Sequence, residues 1–122
     1  MKYKHIIWDW NGTLLNDLTL CVDLLNVSLE KRKLPEMTED KYRKKFLFPI
    51  KTFYESIGFD FSKEDFTIAN DEFHQGFEQK FKKLALQPYA QDTIARFQKL
   101  GITQSILSAT VQSRLNEQVD FF

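Results

Sequence analysis

The stretch Lys4-His5-Ile6-Ile7-Trp8-Asp9-Trp10-Asn11-Gly12-Thr13-Leu14-Leu15-Asn16-Asp17 decides how the chain is read. Its first half is a short apolar run with a β-branched pair, Ile6-Ile7, which predicts a strand buried on both faces. The run stops at Asp9. Asn11-Gly12-Thr13 then supplies turn chemistry, with Gly12 free to take a positive φ. An acidic side chain at the carboxyl end of a buried strand points to the crevice where open α/β sheets hold ligands, although Asp also serves simply to cap turns.

Working outward, Leu18 to about Lys33 has helical spacing through Leu18, Cys21, Val22, Leu25 and Leu29, and the basic Lys31-Arg32-Lys33 suits its carboxyl end. Thr38 is a candidate N-cap for a short helix through Phe46, and Pro49 opens a further one that stops at Gly58. Ser62 with Asp65 resembles a capping box ahead of Phe66, Ala69, Phe73, Phe77, Phe81 and Leu84 at three- and four-residue steps. Gly76 weakens that long helix by up to about 1 kcal/mol. Beyond Pro88 the pattern changes. Tyr89 to Leu100 predicts a helix with Ile94, Phe97 and Leu100 inward, Ile102 to Ser108 a strand, and Val111, Leu115, Val119 and Phe122 mark a last helix.

An apolar strand ending in Asp-x-Asn-Gly-Thr-Leu-Leu-x-Asp closely resembles the first signature of haloacid dehalogenase-like (HAD) hydrolases, usually Asp-x-Asp-Gly-Thr. The later Pro88-Tyr89, Phe97 and Leu100-Gly101, with a strand ending in Ser108, resemble the members near the phosphoglycolate phosphatases. The resemblance implies an α/β fold: an incomplete Rossmann-like core, a short parallel sheet with helices, in residues 1–17 and 86–122, and an inserted α-helical cap at 18–85. It implies that Asp9 is the nucleophile, forming an aspartyl-phosphate and ligating Mg²⁺. A carboxylate is ionised at neutral pH and needs no base to activate it. The backbone carbonyl of Asn11 would be a second Mg²⁺ ligand, and Gly12, Thr13 and Ser108 would surround the phosphate.

One position departs from the family pattern. Asn11 stands where an Asp serves as general acid and base, and an amide can donate a hydrogen bond but not a proton. Losing a general acid costs about 10²–10⁴ in rate, least where the leaving group is already good, as in an acyl phosphate. Asn11→Asp is therefore expected to raise phosphatase turnover. The resemblance also ends at Phe122, before the family's remaining strands, its phosphate-steadying Lys and its second acidic pair; no Lys follows Ser108, and Asp120 comes too early. Such stabilisers are each worth about 10²–10³, so the isolated chain is expected to be weak or inactive.

Composition narrows the classes. The 17 basic and 17 acidic residues cancel, which argues against a nucleic-acid or membrane-surface partner bound by bulk charge. No run reaches the roughly 18 apolar residues of a membrane span. One cysteine, Cys21, excludes an internal disulfide and suits a reducing cytoplasm. His5 and His74 lack metal-ligand companions at suitable spacing, and Arg43-Lys44-Lys45 is the pattern of a solvated helix face.

Two functions fit these features. One is a phosphatase acting on a small phosphorylated metabolite; the other is a catalytically silent binding module that keeps the loop. A phospho-accepting receiver domain is disfavoured, because two strands bracket a helical insert where five βα alternations would be required. In the family core the first strand is central, so residues 4–9 are expected to offer an unpaired apolar edge, open to a homo-oligomeric partner.

Overall fold

The computed structural model describes residues 2–122. The elements run β1 (His5–Trp8), β2 (Leu15–Asn16), α1 (Leu18–Lys31), α2 (Glu39–Lys45), α3 (Ile50–Ser56), α4 (Phe66–Lys80), a 3₁₀ turn at Phe81–Lys83, β3 (Ala85–Leu86), α5 (Ala90–Lys99), β4 (Thr103–Ile106) and α6 (Gln112–Phe121). Contacts divide the chain into two units. One holds the segment up to Asp17 together with Phe81–Phe122, and the other holds Leu18–Lys80.

The first unit is α/β. Strands β1 and β4 pair in parallel, with His5 opposite Thr103 and Trp8 opposite Ile106. Alternation along both strands separates two faces. Trp8 lies 6.3 Å from Phe97 of α5, and the Gln104 amide donates to the Ile94 carbonyl at 3.0 Å. The opposite face is open: Ile7 is 63% exposed and Leu107 72%. The expected burial of β1 on both faces is thus not what this chain shows, because α5 and α6 cover one side only. The sheet has two strands, so among the described residues the other edge of β1 has no strand partner.

Three local expectations also give way. Leu100 and Val111 sit at helix caps and are exposed, outside the buried stripes of α5 and α6. The long helix stops at Lys80, where the expected insert ran on to residue 85. Phe81 is 1% exposed, sits edge-on to Phe121 and groups with the first unit. Two further short strands, β2 and β3, pair antiparallel, Leu15 with Leu86 and Asn16 with Ala85.

The second unit is four helices packed on aromatics. Phe53 is 1% exposed, with Tyr42 edge-on at 5.7 Å and Phe46 at 5.2 Å, while Tyr54 stacks on Phe59 at 4.8 Å. Burial pushes the Tyr54 hydroxyl up to about 12, which keeps it neutral. Thr38 caps α2 as expected, accepting the Lys41 N–H at 3.2 Å. At α4 the capping residue is Asp65, which accepts from Thr67, while Ser62 bonds to Asp60. Gly76 has a use its helix propensity hides: a Cβ there would lie 2.5 Å from Leu24 Cδ2, so the missing side chain lets α1 and α4 approach.

An ionic cluster ties the same helices. Arg32, just past the end of α1, bonds Glu64, ahead of α4, and Glu72 of α4, and Glu72 also accepts from Ser28 and Lys31. Hydrogen bonding from Arg32, aided by Ser28 and Lys31 and opposed by burial, lowers the Glu72 carboxyl from 4.5 to about 2; Arg32 likewise holds Glu64 below its ordinary value. A carboxyl whose pKa is depressed by folding contributes stability above its unfolded value and loses it as the folded value is passed. Acid titration followed by circular dichroism should therefore show stability falling between about pH 4.5 and 2, and Glu72→Gln should flatten that loss.

Candidate active site

Parallel pairing fixes the site, because it brings the carboxyl ends of β1 and β4 together. The last rung is the Leu107 N–H on the Trp8 carbonyl at 2.9 Å, immediately before Asp9 on one strand and Ser108 on the other. Asp9 is exposed at this edge, and its Oδ2 accepts from Thr13 Oγ1 at 3.0 Å.

The loop between them is closed by backbone. The Trp10 carbonyl accepts the N–H groups of Leu14 at 3.1 Å and Leu15 at 3.0 Å, and the Gly12 N–H returns to the Leu15 carbonyl at 2.9 Å. This turn requires φ +77° at Gly12, the left-handed region that glycine enters without a Cβ penalty. The strand β3 end braces it from outside: the Gln87 N–H reaches the Leu14 carbonyl at 2.7 Å and the Tyr89 hydroxyl the Thr13 carbonyl at 2.7 Å. Gln87 carried no signal in the sequence, and Tyr89 entered only through the Pro88-Tyr89 resemblance and a helix start; their contacts with the loop go to or through backbone atoms.

The side chains expected to share a site do meet. Ser108 Oγ lies 3.4 Å from Asn11 Oδ1, and Thr110 Oγ1, not anticipated, donates to the same oxygen at 3.0 Å. The spacing Ser108-Ala109-Thr110, two hydroxyls just past a strand, was the available clue. Asn11 Nδ2 donates to Asp17 Oδ2 at 2.8 Å. The amide therefore turns its oxygen, not its nitrogen, toward Ser108 and Thr110. Asn11 was expected to offer a donor to a leaving group; here Nδ2 is directed to Asp17.

Trp10 does not wall the crevice. It is 3% exposed and faces α6, where its indole N–H donates to Gln118 at 2.9 Å. Beneath it lies an apolar cavity of ≈ 330 Å³ lined by Trp10, Leu14, Ile94, Ile106, Val119 and Phe122. None of Asp9, Asn11, Thr13 or Ser108 lines that cavity, so the polar edge and the apolar hollow are separate features. His5 is structural, bridging Thr103 at 2.6 Å and Ser105 at 2.9 Å. Among the described residues no three His, Cys, Asp or Glu side chains gather in a metal-binding group.

The sequence model of the haloacid dehalogenase-like hydrolases matches residues 6–122. The chain belongs to that family. Similar solved structures share its fold. A predicted phosphoglycolate phosphatase from Haemophilus somnus is 17% identical with a TM-score of 0.79, covering 100% of this chain and 58% of that one. A family IA, variant 3 HAD hydrolase from Entamoeba histolytica is 18% identical at 0.77, covering 98% and 55%. CbbY from Rhodobacter sphaeroides, solved in complex with phosphate, is 18% identical at 0.63, covering 98% and 57%. The chain thus spans a little over half the length of these HAD structures. No curated protein matches its sequence significantly.

Gly12 offers a direct test of the loop. A Cβ there would come no nearer than 4.0 Å to Asp17 Oδ1, so the cost of substitution is conformational. Gly12→Ala should destabilise by about 1–2 kcal/mol in denaturant titrations, and Gly12→Asn by less, because Asn tolerates the left-handed region.

Proposed function

We propose that the chain carries the nucleophile half of a phosphatase site acting on a small phosphorylated metabolite. The observation that supports this most is the exposed Asp9 carboxylate at the shared end of two parallel strands, braced by Thr13, with the Ser108 and Thr110 hydroxyls gathered on Asn11 beside it. An Asp9 oxygen would form the bond to phosphorus as the bond to the leaving oxygen breaks, that oxygen departing with its electron pair. Water then cleaves the acyl phosphate, releasing phosphate and restoring the carboxylate. The complex of CbbY with phosphate agrees with phosphate as the ligand class.

Mg²⁺ is the cofactor this chemistry calls for, and the donors suit it in part. Asp9 and the Asn11 carbonyl are hard oxygen ligands, and Mg²⁺ commonly takes one or two carboxylates with substrate phosphate and water completing its shell. When bound, the ion would neutralise phosphoryl charge. Asn11 supplies no proton, so substrates whose leaving group needs none are favoured, acyl phosphates ahead of alkyl esters. With Mg²⁺ present, acetyl phosphate should be cleaved faster than an alkyl ester such as glycerol 2-phosphate, and Asp9→Asn should abolish both. Equal turnover by Asp9→Asn would refute the assignment.

A second reading, a binding module without turnover, is favoured by the way Asn11 is held, its oxygen accepting where a proton donor would act. The edge of β1 that has no strand partner among the described residues, with the 63% exposed Ile7 beside it, points to a second copy paired edge to edge. Sedimentation at rising concentration should then show a dimer that Ile7→Lys disperses. A clean monomer throughout would exclude self-pairing. No helix among the described residues is long and apolar enough to cross a membrane.

A further inference from the structure

Asp17 is the buried acid for which the proposed chemistry has no use. It is 3% exposed, and its Oδ2 lies 2.8 Å from Asn11 Nδ2. A carboxylate offers acceptors only, so the nitrogen end of the amide has to face it. The oxygen end is thereby directed at the loop after β4, where Thr110 Oγ1 donates at 3.0 Å and Ser108 Oγ at 3.4 Å. Ser108 in turn accepts the Thr110 N–H at 3.1 Å. The four side chains form one chain of donors and acceptors with a single consistent direction.

We propose that Asp17 is a positioning residue for this site and sets which side chain position 11 can carry. An amide at 11 answers a carboxylate on one side and two hydroxyls on the other. An aspartate at 11 would still accept from both hydroxyls, but it would place two carboxylates 2.8 Å apart with no N–H between them. At that distance like charges repel, and the N–H that joins the two groups is lost. The complementary alternative is the exchange, a carboxylate at 11 with an amide at 17. Asn11→Asp by itself is therefore not the simple gain of a proton donor that the family pattern suggests. Its effect depends on a residue six positions further along.

The inference rests on the phosphatase reading only for its consequence in turnover, and the test uses neither substrate nor metal. Four proteins are compared with the wild type: Asn11→Asp, Asp17→Asn, the double exchange and Asp17→Ala. By ¹⁵N-edited NMR, the Asn11 side-chain NH₂ pair, assigned by its loss in Asn11→Asp, should exchange with solvent about ten-fold more slowly in the wild type than in Asp17→Ala. Thermal midpoints should fall by about 5 °C in Asn11→Asp, and the double exchange should recover most of that loss. An Asn11 amide exchanging equally fast in the wild type and Asp17→Ala would overturn the proposal. So would a double exchange no more stable than Asn11→Asp. If Asn11→Asp does not fold, the NH₂ pair is assigned by its loss in Asn11→Ser, and the amide measurement in the wild type and Asp17→Ala still decides. Failure to cleave acetyl phosphate would count against the phosphatase reading and leave these outcomes unchanged.

Discussion

Parallel pairing between two four-residue strands is the constraint on which the rest of the first unit depends. His5 and Thr103 lie 98 positions apart, yet the register running from them to Trp8 and Ile106 delivers two chain turns to the same edge. Asp9, Asn11, Ser108 and Thr110 all sit within a few residues of that edge. A slip of β1 by one position would send Trp8 to the open face and bring Ile7 inward, so the register is held by burial as well as by hydrogen bonds. Side chains add to it: the Trp8 indole donates to Gln104 at 2.8 Å, and His5 spans Thr103 and Ser105.

The loop after β1 shows how a short segment is made rigid without much core. One carbonyl, that of Trp10, gathers several successive N–H groups, which leaves few backbone donors for solvent and aims Asp9 outward. Trp10 itself supplies the anchor beneath, buried against α6 through its bond to Gln118. Polar function and apolar support thus alternate residue by residue, Asp9 and Asn11 outward, Trp10 and Leu14 inward. The second unit solves a different problem. Its buried stripe is mostly aromatic rings; Arg32, just past α1, bonds Glu64 and Glu72, and Gly76 lets α4 approach Leu24 of α1.

Much of this was legible beforehand, and the parts that were not share a cause. Helices α1 and α4 followed from three- and four-residue spacing, because an amphipathic helix repeats its burial locally, and α2 and α3 from the cap and stop residues Thr38, Pro49 and Gly58. The loop was legible because Asn11-Gly12-Thr13 needs no distant partner to turn. By contrast, the exposure of Ile7 depends on which sheet face the helices cover, and a run of apolar residues cannot say that. Strands β2 and β3 have two residues each, too few for any period to register. The end of the long helix was missed because Phe81 continues the apolar step of α4 while packing with Phe121.

By itself the sequence determined a carboxylate at a strand end, a glycine turn, a set of Phe-bearing helices and a hydroxyl past a second strand, since each depends on neighbours a few residues away. Tertiary structure decided what those groups face. It set Ser108 and Thr110 on the Asn11 oxygen, Asp17 on its nitrogen and Trp10 away from the solvent edge. An amide has two different ends, and only the partners folded around it select which end the site receives.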